Sequence, residues 1–224
     1  MAVSILDAWD SAVSNVLDKA SNPSGDHTIS SANDRFHIAI VTRQANNENV
    51  ITYTVGGQSA TVSGHRFFEN GTNDFTTDIL AWNEAAIAAM VGTTVSYSDT
   101  HSNTQMCHTF ATFQDCDQDD PIFTGNDQAE GTTLAIVTTS DPGDMIISAH
   151  MAQSANRAPL TYDTLSEQLE NSVSGSAHGV AHGDGGDDLT TLGNDGFDSE
   201  MSGMCVVLKA LGSGGNFLTL LGVG

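Results

Sequence analysis

From His27 onward, hydrophobic positions either alternate with polar ones or form short apolar runs, bounded by Gly, Asn, Asp and Pro. HTIS (27–30), RFHIAIVTR (35–43), NVITYTV (49–55), TTDILAW (76–82), TTVSYSD (93–99), QMCHTFATF (105–113), TLAIVTTS (133–140), MIISAHMA (145–152) and MCVVLKAL (204–211) have this character. Such words suit β-strands. Gly56-Gly57 joins NVITYTV to QSATVSG (58–64) as a hairpin, because glycine supplies the positive φ of a tight turn. Pro142-Gly143 predicts a second hairpin between TLAIVTTS and MIISAHMA. QANNEN (44–49) reads as a polar turn, HRFFENGTNDF (65–75) as a loop, and QDCDQDDPI (114–122) as an acidic turn closed by Pro121.

Two stretches break the strand pattern. NEAAIAAMVG (83–92) is Ala-rich and stopped by Gly92, which predicts a short helix. In residues 1–20, Ile5, Leu6, Trp9, Val13, Val16, Leu17 and Ala20 fall near helical spacing, ahead of the breaker SNPSGD. Residues 155–199 are polar and weakly patterned, with one strand expected in SAHGVAHGDGGDD (176–188). About nine or ten short strands with hairpin turns predict an all-β, antiparallel β-sandwich, jelly-roll-like, with at most one or two short helices. Residues 1–211 form one domain in this reading. Residues 212–224 are a GSGG linker and an uncharged apolar tail, NFLTLLGVG.

Charge narrows the function. The chain of 224 residues has 28 Asp and Glu against 6 Lys and Arg, a formal net charge of −22. Such a polyanion repels phosphate backbones and anionic membrane surfaces, so neither nucleic acid nor membrane is an expected partner. The charge suits a soluble surface in salty water, or the outward face of a large particle. No signal peptide is expected: Asp7 and Asp10 stand where an apolar core would be. Cys107, Cys116 and Cys205 are too few and too irregular for a disulfide framework, and read as buried thiols.

Candidate chemistry is sparse. Asp115, Asp117 and Asp119, followed by Asp120, crowd hard oxygen ligands into one turn. The twelve-residue calcium loop fails, because Asp120 and Asn126 stand where it needs Gly and Glu. A looser Ca2+ site there, or in HGDGGDD (182–188), is set against a solvated acidic turn. His178 and His182 have H-x-x-x-H spacing, but Gly179 argues against the helix that would give it meaning, so strand or surface histidines are expected. No nucleophile elbow, phosphate loop or dinucleotide fingerprint occurs, and the chain is not expected to be an enzyme. Trp9, Trp82 and Tyr53 read as core, while Phe67 and Phe68 are the single hint of an exposed sugar platform.

One word order carries a resemblance. Arg35 opens an apolar strand, Gly56, Gly57 and Gln58 make a hairpin, Leu80 and Trp82 close a strand, and Asp117, Gln118 and Pro121 make a turn. TTSDPGDMII (138–147) and CVVLKAL follow. This order, over residues 2–211, resembles a β-sandwich domain of bacteriophage structural proteins and bacterial surface proteins. The resemblance implies that Ala2–Ala8 is a first strand rather than a helix, and it supplies no catalytic residues. It further implies a module of a virion, such as a head decoration protein or tail appendage; with the acidic charge, which suits a marine or saline habitat, the reading is a capsid decoration or cement subunit of a tailed virus. Such a subunit binds the major capsid protein or other virion subunits, forms a homo-oligomer and assembles in the host cytoplasm. The alternative is a receptor- or carbohydrate-binding adhesin module of a tail or secreted surface protein. The candidate partner-binding residues are Phe217, Leu218, Leu220 and Leu221 of the tail.

Overall fold

A computed structural model describes residues 1–9, 17–18, 27–45, 52–68, 74–98, 105–119, 121–128, 132–153, 161–162, 165–173, 176–186, 189–194 and 200–212. The first half of the chain holds β1 (Ser4–Asp7), β2 (Leu17–Asp18), β3 (Phe36–Ala45), β4 (Thr52–Val55), β5 (Gln58–Ser59), β6 (Val62–Phe68), β7 (Asp74–Asn83), α1 (Glu84–Ala89), β8 (Val95–Ser98) and β9 (Gln105–Gln114). The second half holds β10 (Ile122–Gln128), β11 (Thr133–Thr138), β12 (Met145–Gln153), β13 (Thr161–Tyr162), β14 (Ser166–Val173), β15 (Ser176–Asp184), β16 (Leu189–Asn194) and β17 (Met201–Leu208). The fold is all-β, antiparallel and sandwich-like, with α1 as the helix among the described residues.

Two large sheets form its centre. One has the order β1-β9-β3-β7-β6, with β2 also on β9; the other has the order β10-β17-β12-β15-β14. Their facing sides make the central core, where Phe36, Ile38, Ile40, Ile79 and Phe113 meet Ile147, Val180, Met204, Val206 and Leu208. Each large sheet carries a small sheet on its outer face. Tyr53, Val55 and Val95 of β5-β4-β8, with Ile87 of α1, cover Val41, Leu80, Trp82 and Phe110. On the other side Ile136 of β11, in the sheet β11-β16-β13, covers Ile146, Cys205 and Val207. Four layers therefore leave the inner strands no solvent face. This is why all eight residues of β17 are buried and its sequence runs apolar instead of alternating.

The two halves follow one circuit. The order β1-β9-β3-β7-β6 with the pair β4-β8 outside recurs as β10-β17-β12-β15-β14 with β13-β16 outside. Phe36 at the start of β3 pairs with Asn83 and Phe113; Met145 at the start of β12 pairs with Asp184 and Leu208. Thr52-Tyr53 follows Phe36 by the same interval as Thr161-Tyr162 follows Met145. Asp34 and Gly143 hold matching places just ahead of these strands, both with positive φ, 52° and 98°. Where the halves meet, Asp117 N–H donates to Lys209 O and Leu211 N–H to Asp115 O, at 2.7 and 3.1 Å. This reciprocal pair resembles a contact across a two-fold axis.

Several local expectations need correction. Residues 4–7 are strand, as the resemblance implies and against the helical spacing of the segment: β9 offers an edge, and Ile5 and Trp9 pack onto the central core. HTIS (27–30) is not a strand; His27 is held by ring stacking instead. HRFFENGTNDF is strand at both ends, the end of β6 and start of β7, paired from Arg66–Thr77 to Phe68–Phe75, while 69–73 lie outside the described residues. The Pro142-Gly143 turn does reverse the chain, yet β11 and β12 are not a hairpin: β11 pairs with β16, and β12 pairs with β15 and β17. The weakly patterned 155–199 stretch holds β13, β14, β15 and β16 rather than one strand.

Candidate functional site

At the β1 edge of the first large sheet a pile of rings lies beside a cleft of about 480 Å³. Among the described residues its walls include Asp7, Trp9, His27, Thr28, His37 and Phe110. β3 and β9 run side by side and place His37 and Phe110 on the outer face of the sheet. His27 stacks on both, with ring centroids 4.8 and 4.2 Å apart. His37 Nδ1 lies 3.1 Å from Thr112 Oγ1. Burial, helped by the neighbouring His27, pushes the His37 imidazole well below its ordinary range, so it is neutral at pH 7. Asp7 Oδ2 and Oδ1 accept from the Ser30 N–H and hydroxyl at 2.8 and 2.5 Å, which ties the segment carrying His27 to β1. Flat rings beside one carboxylate suit an uncharged or cationic small molecule. Among the described residues of these walls there is no lysine or arginine to receive an anion.

A second polar group lies farther along the same outer face. Arg43 is fully buried and donates to Asp78 Oδ2 at 3.2 Å; His65 Nδ1 lies 2.5 Å from Asp78 Oδ1. Tyr53 Oη of the small sheet is 2.9 Å from His108 Nδ1. Burial, and secondarily the Arg43 charge, lower the His108 pKa to about 3. Arg35 is engaged as well, donating from Nη2 to Glu84 Oε1 at 2.5 Å and from Nε to Glu84 Oε2 at 2.8 Å. Mutual hydrogen bonding raises the pKa of Arg35 and lowers that of Glu84.

The sequence candidates fall elsewhere. Asp115 has a left-handed φ of 61°, and Asp117 Oδ1 accepts from Asp119 N–H at 3.1 Å. Among the described residues no three His, Cys, Asp or Glu side chains gather as a metal site would need, so the structure does not bring Asp115, Asp117 and Asp119 together as a ligand set. Phe217, Leu218, Leu220 and Leu221 lie outside the described residues. Tyr53 and Trp82 are core, Trp9 packs partly buried against it, and Phe67 and Phe68 are half-buried on β6. All three cysteines are free and buried; burial pushes the Cys116 thiol up to about 12, which makes it a poor nucleophile. His178 and His182 lie on β15, a strand, as expected.

Sequence reasoning missed the His27, His37 and Phe110 pile, the Arg43, Asp78 and His65 group, and the cleft. One signal was present: RFHIAIVTR and TTDILAW each hold charged or ionisable residues inside an otherwise apolar strand word. No protein-family model, curated protein or solved structure matches the chain.

Proposed function

We propose that this chain is a structural protein of a virus particle, a decoration subunit that binds capsid subunits and presents an acidic outer face. The observation that carries this reading is where the few cations go. Of six Lys and Arg, Arg43 is wholly inside and Arg35 is held by Glu84, so the exterior is more one-sidedly anionic than the composition alone requires. A surface of this kind prevents particles from clumping and favours a saline medium. The layered all-β body suits a rigid cover. In this reading Phe217, Leu218, Leu220 and Leu221 dock on a neighbouring subunit. The resulting homo-oligomer or capsid contact gains by repetition what one short apolar tail gives weakly. A second reading, a receptor- or carbohydrate-binding module, is favoured by the ring-lined cleft.

Copy number separates the two. Quantitative densitometry of purified particles is expected to show hundreds of copies of a decoration subunit; a handful per particle would overturn the first reading in favour of a tail adhesin. Truncation after Gly212 is expected to leave the thermal midpoint of the isolated protein nearly unchanged and to reduce particle binding. Loss of stability with binding intact would return the tail to the protein's own core.

A further inference from the structure

The H-x-x-x-H pair of the sequence has a place in the fold that its spacing did not announce. On a strand, residues four apart share a face. β15 turns His178 and His182 toward the first half of the molecule. There His182 Nδ1 accepts the Trp9 indole N–H at 2.9 Å, and His178 Nδ1 is hydrogen-bonded to Thr42 Oγ1 of β3. An indole N–H can only donate, so His182 Nδ1 must carry its lone pair and the ring must be neutral. A protonated imidazole has two N–H groups and no lone pair to offer.

We propose that β15 carries an acid-released latch: protonation of His182 abolishes its hydrogen bond with Trp9, protonation of His178 puts a cation into the buried seam beside Thr42, and together they loosen the seam between the two large sheets. The surroundings give a cation little help. From β3 and β9, His178 meets Ile40, Thr42, Thr109 and Cys107, around a void of about 10 Å³, roughly one water in size. On β12 its register partner is Met151, and on β14 Asn171. Of these groups the Cys107 thiol alone titrates, and it is neutral in acid. His182 meets Trp9 and Phe113 from the first half. Its register partners are Ile147 on β12 and Ser166 on β14. The charge that favours its protonation is that of Asp184, on its own strand. Burial lowers the His178 pKa to about 4 and also lowers that of His182. A histidine whose folded pKa is depressed stabilises the fold above its unfolded pKa, about 6.5. That stabilisation is lost as pH falls from there toward the folded value. The latch is therefore closed at neutral pH and opens between about pH 6 and 4.

The other deeply buried histidines stand apart from this seam. His37 and His108 lie on the outer face of the first large sheet, with Phe110 and Tyr53, and His150 is near Ser148 in the second. The test uses the whole chain. Trp9 fluorescence is followed from pH 7.5 to 3, with W9F identifying its share of the signal against Trp82. The double variant H178Q/H182Q keeps hydrogen-bonding groups but cannot take up protons. It is expected to lower the midpoint of the Trp9 change by at least about half a pH unit and to reduce proton uptake by about two. An unchanged midpoint would overturn the latch and place acid sensitivity in other titratable groups. If the variant does not fold at pH 7, NMR of the wild-type chain decides. His178 and His182 rings titrating together with loss of the Trp9 indole N–H signal, before far-UV ellipticity changes, supports the latch. Titration with that signal unmoved, or only on global unfolding, refutes it.

Discussion

Arg43 and Asp78 show what a single pair can require of a strand. Both lie within strand words that otherwise bury apolar side chains, and neither reaches solvent. Desolvating two ions is costly, and their attraction offsets that cost only with good geometry; removing one partner of such a pair is far worse than replacing both. Asp78→Ala is therefore expected to destabilise the protein by about 3–5 kcal/mol. The joint replacement Arg43→Met with Asp78→Leu should cost less than that single change. Urea unfolding of the three proteins measures this, and a mild Asp78→Ala would mean that Arg43 does not depend on the carboxylate. The residues themselves were legible as charges in apolar words. Their meeting was not, because Asp78 pairs with Val41 in register and approaches Arg43 only across the face of the sheet.

Among the elements, the Gly56-Gly57 turn was readable because its chemistry is local. Both glycines have positive φ, 53° and 79°, and Val55 pairs with Gln58 around them. Space distinguishes the two. A Cβ on Gly56 would come 2.5 Å from Gly92 O and 2.7 Å from Met90 Cβ, whereas one on Gly57 meets nothing within 4 Å. Gly57→Ala should cost about 1–2 kcal/mol, the left-handed penalty alone. Gly56→Ala should cost clearly more, and thermal melts of both variants give the order. Equal costs would mean that Met90 and Gly92 move aside freely. The Pro142-Gly143 turn was equally readable, with Asp144 N–H donating to Asp141 O at 3.1 Å, yet the hairpin inferred from it is wrong. Turn residues specify a reversal, not whether the flanking strands pair; here the reversal carries the chain from an outer sheet to an inner one. Strands β14 and β16 escaped notice because SEQLENSV and LTTLGN carry polar residues through most of their length. The cleft escaped notice because its walls come from β1, β3, β9 and the approach to β3.

For the whole molecule, the dominant long-range term is charge. With a net −22, mutual repulsion is felt across about 30 Å at 10 mM salt and only about 3 Å at 1 M. The thermal midpoint is expected to rise steadily between those limits. A flat or falling midpoint would show that the acidic surface is no electrostatic burden, and would remove the argument for a saline habitat. The all-β class was legible from short strands and turn residues. The four-layer build was not, because an unbroken apolar run reports burial on both faces without saying what covers them.

The repeated circuit bears on how the chain comes into being. Each large sheet takes all its strands from one half: the first is complete with β9, the second begins at β10. Among the described residues no strand of the first sheet comes from a later segment, so a chain growing from its N-terminus has the first sheet and its outer cover in hand once Gln114 has emerged. What it lacks at that moment is the other side of the seam. Phe36, Ile38, Ile40, Ile79 and Phe113 then face water as one continuous apolar surface. Two nascent chains held side by side on one message could dock these surfaces against each other, since the second half repeats the strand order of the first. The length of chain between β9 and β10 is short, and that tether gives the correct partner the higher effective concentration.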